Sequence, residues 1–178
     1  MADQSIQRRL AAVLAADVVG YTRLMEEDSQ GTVVAWSAAR DDVIEPTISE
    51  HSGRTVKLTG DGFLAEFSTV EDAVRCAIAL QKGLVSSSLD FRIGVNLGDI
   101  IDDGRDIHGE GVNVAARLEG LAEPGGIVIS GDVYNQVKNR IDVRFEDMGA
   151  REVKHVSDLV RTYAVVTDDG EKPPSIED

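Results

Sequence analysis

Two short strand-like runs flank a glycine-rich turn between Thr55 and Phe67, in the stretch TVKLTGDGFLAEF. Apolar residues alternate along both runs, so each run has one apolar face, as in a half-buried β-strand. The Gly-Asp-Gly turn permits backbone angles that other residues avoid. The stretch therefore predicts a β-hairpin that carries the carboxylate of Asp61 at its tip and Lys57 in its first strand.

A second carboxylate, Asp17, lies near the end of the apolar run LAAVLAADVV, which follows Arg8 and Arg9. The run is typical of a buried strand, although its alanines leave a helix open. A carboxylate at the end of a buried strand is costly unless it is paired, hydrated or bound to a metal. Capping of the next helix is an equally good interpretation of Asp17 from residue type alone.

The patterns that follow alternate between helix and strand. Asp28 and Ser29 are suited to cap a long helix that Pro46 kinks or shortens near its end. The apolar positions of this helix are Val33, Trp36, Val43, Ile44 and Ile48. Ser68 and Glu71 have the spacing of a capping box and predict a helix after the hairpin. The segment LDFRIGVNLGDII then predicts a strand by its alternation, with a polar turn at 102–105 after it.

A further helix is predicted after Gly111, and its residues Asn113 and Arg117 are four apart and so share one face. A joint polar role for the two residues is one interpretation, and a solvated helix face is the other. A turn at 124–126, a short strand, a small helix within 131–140 and two late strands complete the pattern, with Lys154 between the late strands.

The order strand, helix, strand, strand, helix, strand is the ferredoxin-like α+β plan, here with a helix-and-strand extension at the C-terminal side. The plan predicts one sheet face buried under two long helices and the other face free to meet a partner. Residues 1–166 are expected to form this domain. Residues 167–178 are acidic and lack periodicity, which indicates a tail or the start of a linker to a regulatory or C-terminal domain.

Composition excludes several classes of function. The formal net charge of −14 opposes binding to nucleic acids or anionic lipid. The single cysteine, Cys76, allows no intrachain disulfide, and the three histidines are too scattered for a zinc site. No apolar run approaches the roughly 20 residues of a membrane span, so a cytoplasmic location is expected.

Asp17 and Asp61 together are candidates for a two-metal site. Carboxylates suit Mg²⁺ or Mn²⁺, and paired metals promote in-line displacement at phosphorus. If the residues after Asp17 open a helix, their backbone N–H groups would face phosphates. The residues concerned are Val19, Gly20, Tyr21 and Thr22. Arg117 could neutralise charge on a phosphoryl group, so the set predicts nucleotidyl chemistry.

Five segments, in this order and spacing, resemble the catalytic domain of class III nucleotidyl cyclases, bacterial adenylyl cyclases in particular. They are LAADVVGYT, VKLTGDGFLAEF, FRIGVNLGD, DIHGEGVNVAARLEGLA and PGGIVIS. The resemblance extends from about Arg8 to Val166. It implies that Asp17, Asp61 and the carbonyl of Val18 hold two Mg²⁺ or Mn²⁺ ions.

The resemblance also implies a substrate and roles for its contacts. Lys57 would donate to adenine N1 and Asp106 would accept from the exocyclic amino group. Asn113 would orient the ribose, Arg117 would stabilise charge on the α-phosphate, and Lys154 would contact the terminal phosphates. The implied reaction converts ATP to 3′,5′-cyclic AMP and pyrophosphate.

The resemblance further implies a head-to-tail homodimer with two shared active sites. Three alternatives remain beside the adenylyl cyclase. A guanylyl cyclase would carry Glu at the position of Lys57 and usually Cys or Ser at that of Asp106. A catalytically silent nucleotide-binding or dimerisation domain would keep the fold without turnover. A diguanylate-cyclase-like or polymerase-palm domain would also use two metal ions for catalysis, but the chain has no GGDEF-type turn.

Overall fold

The computed structural model of the chain describes residues 6–154 and 156–167. All but the first residue of the predicted 167–178 tail lies outside these ranges, as does His155. The strands are β1 (Gln7–Val18), β2 (Gly53–Leu58), β3 (Gly62–Phe67), β4 (Phe91–Asp102), β5 (Ile107–His108), β6 (Ile127–Ser130), β7 (Arg144–Arg151) and β8 (Val160–Val166). The helices are α1 (Tyr21–Glu27), α2 (Ser29–Ala39), α3 (Glu45–Glu50), α4 (Val70–Gly83), α5 (Glu110–Leu121) and α6 (Gly131–Val137).

One mixed sheet runs through the described residues in the order β2-β3-β1-β4-β6-β8-β7, with β5 paired to β4. Its first four strands are antiparallel neighbours, which is the ferredoxin-like arrangement. The parallel β6 and the β7–β8 hairpin extend the sheet beyond β4. The predicted α+β fold with a helix-and-strand extension is thereby confirmed.

The central strand β1 is buried on both of its faces. Leu14 and its alternate neighbours pack under α2, α3 and α4, as predicted. Val13 and its alternate neighbours lie in a second cluster with Ile107 and Ala115, because α5 packs across β1 and β4 on that side. The prediction that this second face is free for a partner is therefore wrong at β1, where Val13 is fully buried.

The first helical layer begins where the sequence predicts. Asp28 caps α2 by accepting a hydrogen bond from the N–H of Gly31 at 3.0 Å. Between α2 and α3 the helix widens into a π-helical turn over Arg40–Ile44, directly before Pro46. Proline removes an N–H and crowds the preceding turn, and the wider turn accommodates both effects. Val33, predicted to be a core residue, is exposed.

Two details of the remaining helices concern local sequence. The cap of α4 is Thr69, which accepts from the N–H of Asp72 at 3.1 Å, and not the predicted Ser68. Cys76 on the same helix is fully buried, as expected for a small core residue. Among the described residues, no helix combines the length and apolar character needed to cross a membrane.

Candidate active site

Asp17 and Asp61 lie on adjoining segments at one end of the sheet. Asp17 pairs in register with Gly62, the first residue of β3. The N–H of Val18 donates to the carbonyl oxygen of Asp61 at 2.8 Å. A Cβ on Gly62 would lie 2.1 Å from the carbonyl oxygen of Ala16, so glycine is needed for the hairpin tip to approach β1 this closely. The backbones of the two aspartates are thus held next to each other.

Arg92 and Glu119 join these carboxylates, although neither was predicted from the sequence. Arg92 projects from β4 and its Nη2 lies 3.4 Å from Asp17 Oδ2 and 3.4 Å from Glu119 Oε2. Burial, the hydrogen bond with Asp17 and the negative charge of Asp17 raise the pKa of Glu119 to about 8, against the opposing charge of Arg92. Burial is the largest of these causes, and the hydrogen bond and the charge of Asp17 add to it.

A sequence signal for these two residues exists but is weak. Arg92 is a charged residue between the buried Phe91 and Ile93, on the face of β4 that does not pack under α4. Its register partner in β1 is Asp17, so an antiparallel β1–β4 pairing would have brought them together. Glu119 can be assigned to the site only when the packing of α5 on β1 and β4 is known.

Lys57 and Asp106 meet in a second cluster. Lys57 Nζ donates to Asp106 Oδ2 at 2.9 Å, and the N–H of Ile107 donates to the other carboxylate oxygen at 2.7 Å. Burial alone would raise the pKa of Asp106, but the hydrogen bonds from Lys57 and Ile107 and the Lys57 charge outweigh it and hold that pKa below its ordinary value. A donor and an acceptor are thereby presented together at the surface.

Helix α5 carries Asn113 and Arg117 on an exposed face, as the four-residue spacing predicts. The Nε of Arg117 donates to the carbonyl oxygen of Glu152 at 3.2 Å. This bond ties α5 to the segment that contains Lys154, whose side chain is also exposed. Val153 is buried against the same helix side and anchors the segment.

The backbone after Asp17 turns into α1 at Tyr21, with Gly20 at the N-cap in the left-handed region, at φ 65°. Asp17 is therefore not the cap of this helix. The N–H of Val19 donates to the carbonyl oxygen of Asp90 at 2.8 Å, which removes Val19 from the predicted set of phosphate donors. The first turn of a helix leaves N–H groups without acceptors inside the helix, so Gly20, Tyr21 and Thr22 stay in that set.

The arrangement consists of two groups with different chemistry. The first group, Asp17 with Asp61 beside it, offers hard oxygen donors of the kind that Mg²⁺ and Mn²⁺ prefer. Within residues 6–154 and 156–167, no three or more His, Cys, Asp or Glu side chains are grouped so that they could hold a metal ion. The second group, Lys57 with Asp106, can pair with the edge of a nucleobase.

Two charged side chains of α5, Arg117 and Glu119, project from different sides of that helix. Arg117 and Glu119 are two residues apart, which places them about 200° apart around the helix axis. Glu119 contacts Arg92 in the first group, whereas Arg117 contacts the 152–154 segment. The structure thus brings the backbone of Asp17 together with that of Asp61, and the side chain of Lys57 together with that of Asp106. The side chain of Arg117 bonds instead to the Glu152 carbonyl oxygen.

Residues 4–167 match the family described as the adenylate and guanylate cyclase catalytic domain. Among curated proteins, the chain is 45% identical to putative adenylate cyclase 3 of Rhizobium meliloti, over 99% of this chain and 32% of that protein. It is 33% identical to an adenylate cyclase of Glutamicibacter nicotianae, over 75% of this chain and 33% of that protein. The chain therefore spans about a third of the length of these two relatives.

Solved structures agree with this assignment. An adenylate/guanylate cyclase/hydrolase from Silicibacter pomeroyi superposes with a TM-score of 0.86 at 39% identity, over 92% of this chain and 100% of that one. The adenylyl cyclase CyaB from P. aeruginosa gives a TM-score of 0.80 at 25% identity, over 92% and 97% of the two chains.

Proposed function

The chain belongs to the class III cyclases, the adenylate and guanylate cyclase catalytic domain family, and we propose that it is an adenylyl cyclase that converts ATP to 3′,5′-cyclic AMP and pyrophosphate. The observation that carries the choice of ATP is the Lys57–Asp106 pair, with Nζ and Oδ2 2.9 Å apart. Adenine presents an acceptor at N1 beside a donor at its amino group. Lys57 supplies the matching donor and Asp106 the matching acceptor, and guanine presents the opposite order.

Class III cyclases generally use divalent metals, and the carboxylate group fits this use. Asp17, Asp61 and the carbonyl of Val18 would hold two Mg²⁺ or Mn²⁺ ions. The position of Asp61, whose carbonyl oxygen accepts from the N–H of Val18 next to Asp17, supports the fit, because carboxylate oxygens are ligands that these ions prefer. When bound, such ions would neutralise triphosphate charge and polarise the ribose 3′-hydroxyl group.

The remaining residues of the site bind and orient the substrate. Asn113 would hold the ribose so that its 3′-oxygen points at the α-phosphorus. That oxygen forms the new bond to phosphorus and gives up its proton to solvent, while the bond from phosphorus to the pyrophosphate oxygen breaks and pyrophosphate leaves. Arg117 would stabilise the charge that develops on the α-phosphate. Lys154 and the N–H groups of Gly20, Tyr21 and Thr22 would contact the departing phosphates.

The positions of Arg117 and Glu119 support a site shared between two copies of the chain. Glu119 contacts Arg92 in the carboxylate group, whereas Arg117 projects from nearly the opposite side of α5 and bonds to the Glu152 carbonyl oxygen. A head-to-tail homodimer would account for this, since each partner would supply the carboxylates of one site and the Lys57, Asp106, Asn113 and Arg117 set of the other. Such a two-fold dimer has two equivalent active sites.

The test is cyclic nucleotide formation by the purified chain with Mn²⁺ or Mg²⁺, at several protein concentrations, with ATP and GTP in parallel. The proposal predicts cyclic AMP, dependence on metal, loss in Asp17→Ala, and specific activity that rises with concentration. Cyclic GMP as the main product would favour the guanylyl cyclase. Nucleotide binding without any product, by a folded dimer, would favour a silent binding domain.

A further inference from the structure

We propose that Asp103 is a positioning residue that fixes Asp106 for purine recognition and thereby sets the preference for ATP over GTP. This inference rests on the proposed function and deepens it. Asp103 lies in the 102–108 loop, which comprises the last residue of β4, the connection 103–106 and the short strand β5. It takes no part in the metal, ribose or phosphate contacts proposed above.

The carboxylate of Asp103 binds the backbone of Asp106 directly. Its Oδ1 accepts from the N–H of Asp106 at 2.8 Å and from the N–H of Arg105 at 2.9 Å. Its backbone N–H donates to the carbonyl oxygen of Asp106 at 3.2 Å. Asp106 is therefore held by Asp103 at both its N–H and its carbonyl group, which restricts both peptide planes next to its Cα.

The second oxygen of the same carboxylate reaches the far end of the loop. Asp103 Oδ2 lies 3.0 Å from Nε2 of His108, the last residue of β5. The N–H groups of Asp106 and Arg105, together with His108, hold the pKa of Asp103 well below its usual range, so the carboxylate is ionised at neutral pH. One side chain thus bridges the middle of the loop and its end.

The ends of the loop are fixed by other means. Ile107 is buried on the sheet face that α5 covers, and β5 pairs with the end of β4. Gly104 has a positive φ of 92°, which lets the chain turn back between Asp103 and Asp106. These contacts place the loop on the sheet, whereas Asp103 determines how residue 106 is oriented within it.

Orientation matters because one oxygen of Asp106 is already occupied. The N–H of Ile107 takes Oδ1, and Oδ2 is left for Lys57 and, in the proposed complex, for the base. Recognition of a base edge needs the donor and the acceptor placed to within about 0.5 Å. Without Asp103, the side chain of Asp106 can turn away from Lys57. The protein then no longer presents the Lys57 donor beside the Asp106 acceptor, which is the arrangement that distinguishes adenine from guanine.

The experiment compares Asp103→Ala, Asp103→Asn and Asp102→Ala with the wild-type chain. Asparagine keeps an oxygen acceptor for both N–H groups and is the rescue variant. Asp102 is the matched control, because its carboxylate lies in the same loop but binds the N–H of Gly104 and the guanidinium of Arg9 instead of Asp106. The readouts are kcat and KM for ATP and for GTP, with urea unfolding to establish that each variant is folded.

We expect Asp103→Ala to lower the ATP-to-GTP ratio of kcat/KM about tenfold or more, mainly through a higher KM for ATP. Asp103→Asn and Asp102→Ala should stay within about threefold of the wild-type ratio. If Asp103→Ala keeps the wild-type ratio while Asp106→Ala loses it, the positioning role is wrong and the proposed function stands. A wild-type chain without cyclase activity would overturn the proposed function, and this inference with it.

Discussion

Arg117 and Glu119 are two residues apart on α5 and project from nearly opposite sides of that helix. Glu119 lies 3.4 Å from Arg92 in the carboxylate group, while Arg117 donates to the Glu152 carbonyl oxygen at 3.2 Å. One helix thus places two charged side chains in two different environments, and this separation is the observation that supports the proposed dimer.

Mixing of two inactive variants tests whether sites are shared. Asp17→Ala and Arg117→Ala should each be nearly inactive, and an equal mixture should recover about a quarter of the wild-type activity. The reason is that about half of the dimers would be mixed, with one intact site of two. The measurement is cyclic AMP formation after exchange of subunits.

The matched control for this mixture is Asp17→Ala with Asp61→Ala. Both substitutions lie in the carboxylate group, so every mixed dimer would have two damaged sites and activity should not recover. Absence of recovery in the first mixture, with mixed dimers demonstrated by differently tagged chains, would contradict shared sites.

Substitution of Lys57 and Asp106, the pair proposed to recognise the base, should change the preference between ATP and GTP. We expect Lys57→Glu combined with Asp106→Cys to lower kcat/KM for ATP about 100-fold or more, because two charge-assisted hydrogen bonds to adenine are lost. Use of GTP should rise relative to ATP. The measurement is the rate of both cyclic products; an unchanged preference for ATP would remove this pair from base recognition.

Gly62 packs so closely against the backbone of β1 that even alanine at this position should destabilise the protein. Gly62→Ala places a Cβ 2.1 Å from the Ala16 carbonyl oxygen, so β1 and β3 must separate beside Asp17. We expect a loss of about 3 kcal/mol in the free energy of unfolding, measured by urea denaturation, and little cyclase activity. Gly60→Ala is the control: a Cβ there meets no atom within 4 Å, and its effect should stay below about 1 kcal/mol.

The pH dependence of stability should reveal the ion pairs of Glu66. Arg9 and Arg54 bind this carboxylate from neighbouring strands. Burial would raise the pKa of Glu66, but the hydrogen bonds and charges of the two arginines lower it overall. A lowered pKa gives stability that is present above the unfolded-state pKa of about 4.3 and is lost as pH falls through the folded-state value.

Glu66→Gln should therefore lower the free energy of unfolding by about 2 kcal/mol at pH 7, with a smaller difference from the wild-type chain at pH 4. Urea denaturation at the two pH values measures this. A difference that is the same at both values would mean that Glu66 stabilises the sheet by packing and not by its charge.

The longer strands, the hairpin tip and the polar face of α5 were predictable from the sequence, because each has a local pattern. Period-two alternation marks β4, and a four-residue spacing places Asn113 and Arg117 together. The capping error at α4 is also local in origin: Ser68 with Glu71 and Thr69 with Asp72 have the same spacing, and the sequence does not choose between them.

Other features could not be predicted, because they depend on how distant segments pair. Arg92 meets Asp17 across 75 residues only when β1 and β4 adopt their register. The two-residue strand β5 has no periodicity to detect, and the cover over Val13 comes from α5, a helix that follows the ferredoxin-like core. The roles of the site residues remain predictions that the variants above can test.

In the proposed dimer, α5 contributes Glu119 to one active site and Arg117 to the other, and this has a consequence for cooperativity. In the proposed dimer, a rotation of this helix moves Arg117 in one reaction centre and Glu119 in the other. Binding of nucleotide at one centre would then alter affinity at its twin, and by thermodynamic reciprocity the twin would exert an equal effect in return. The two centres would behave as a coupled pair, and a signal from outside the domain could act on both by tilting a single helix.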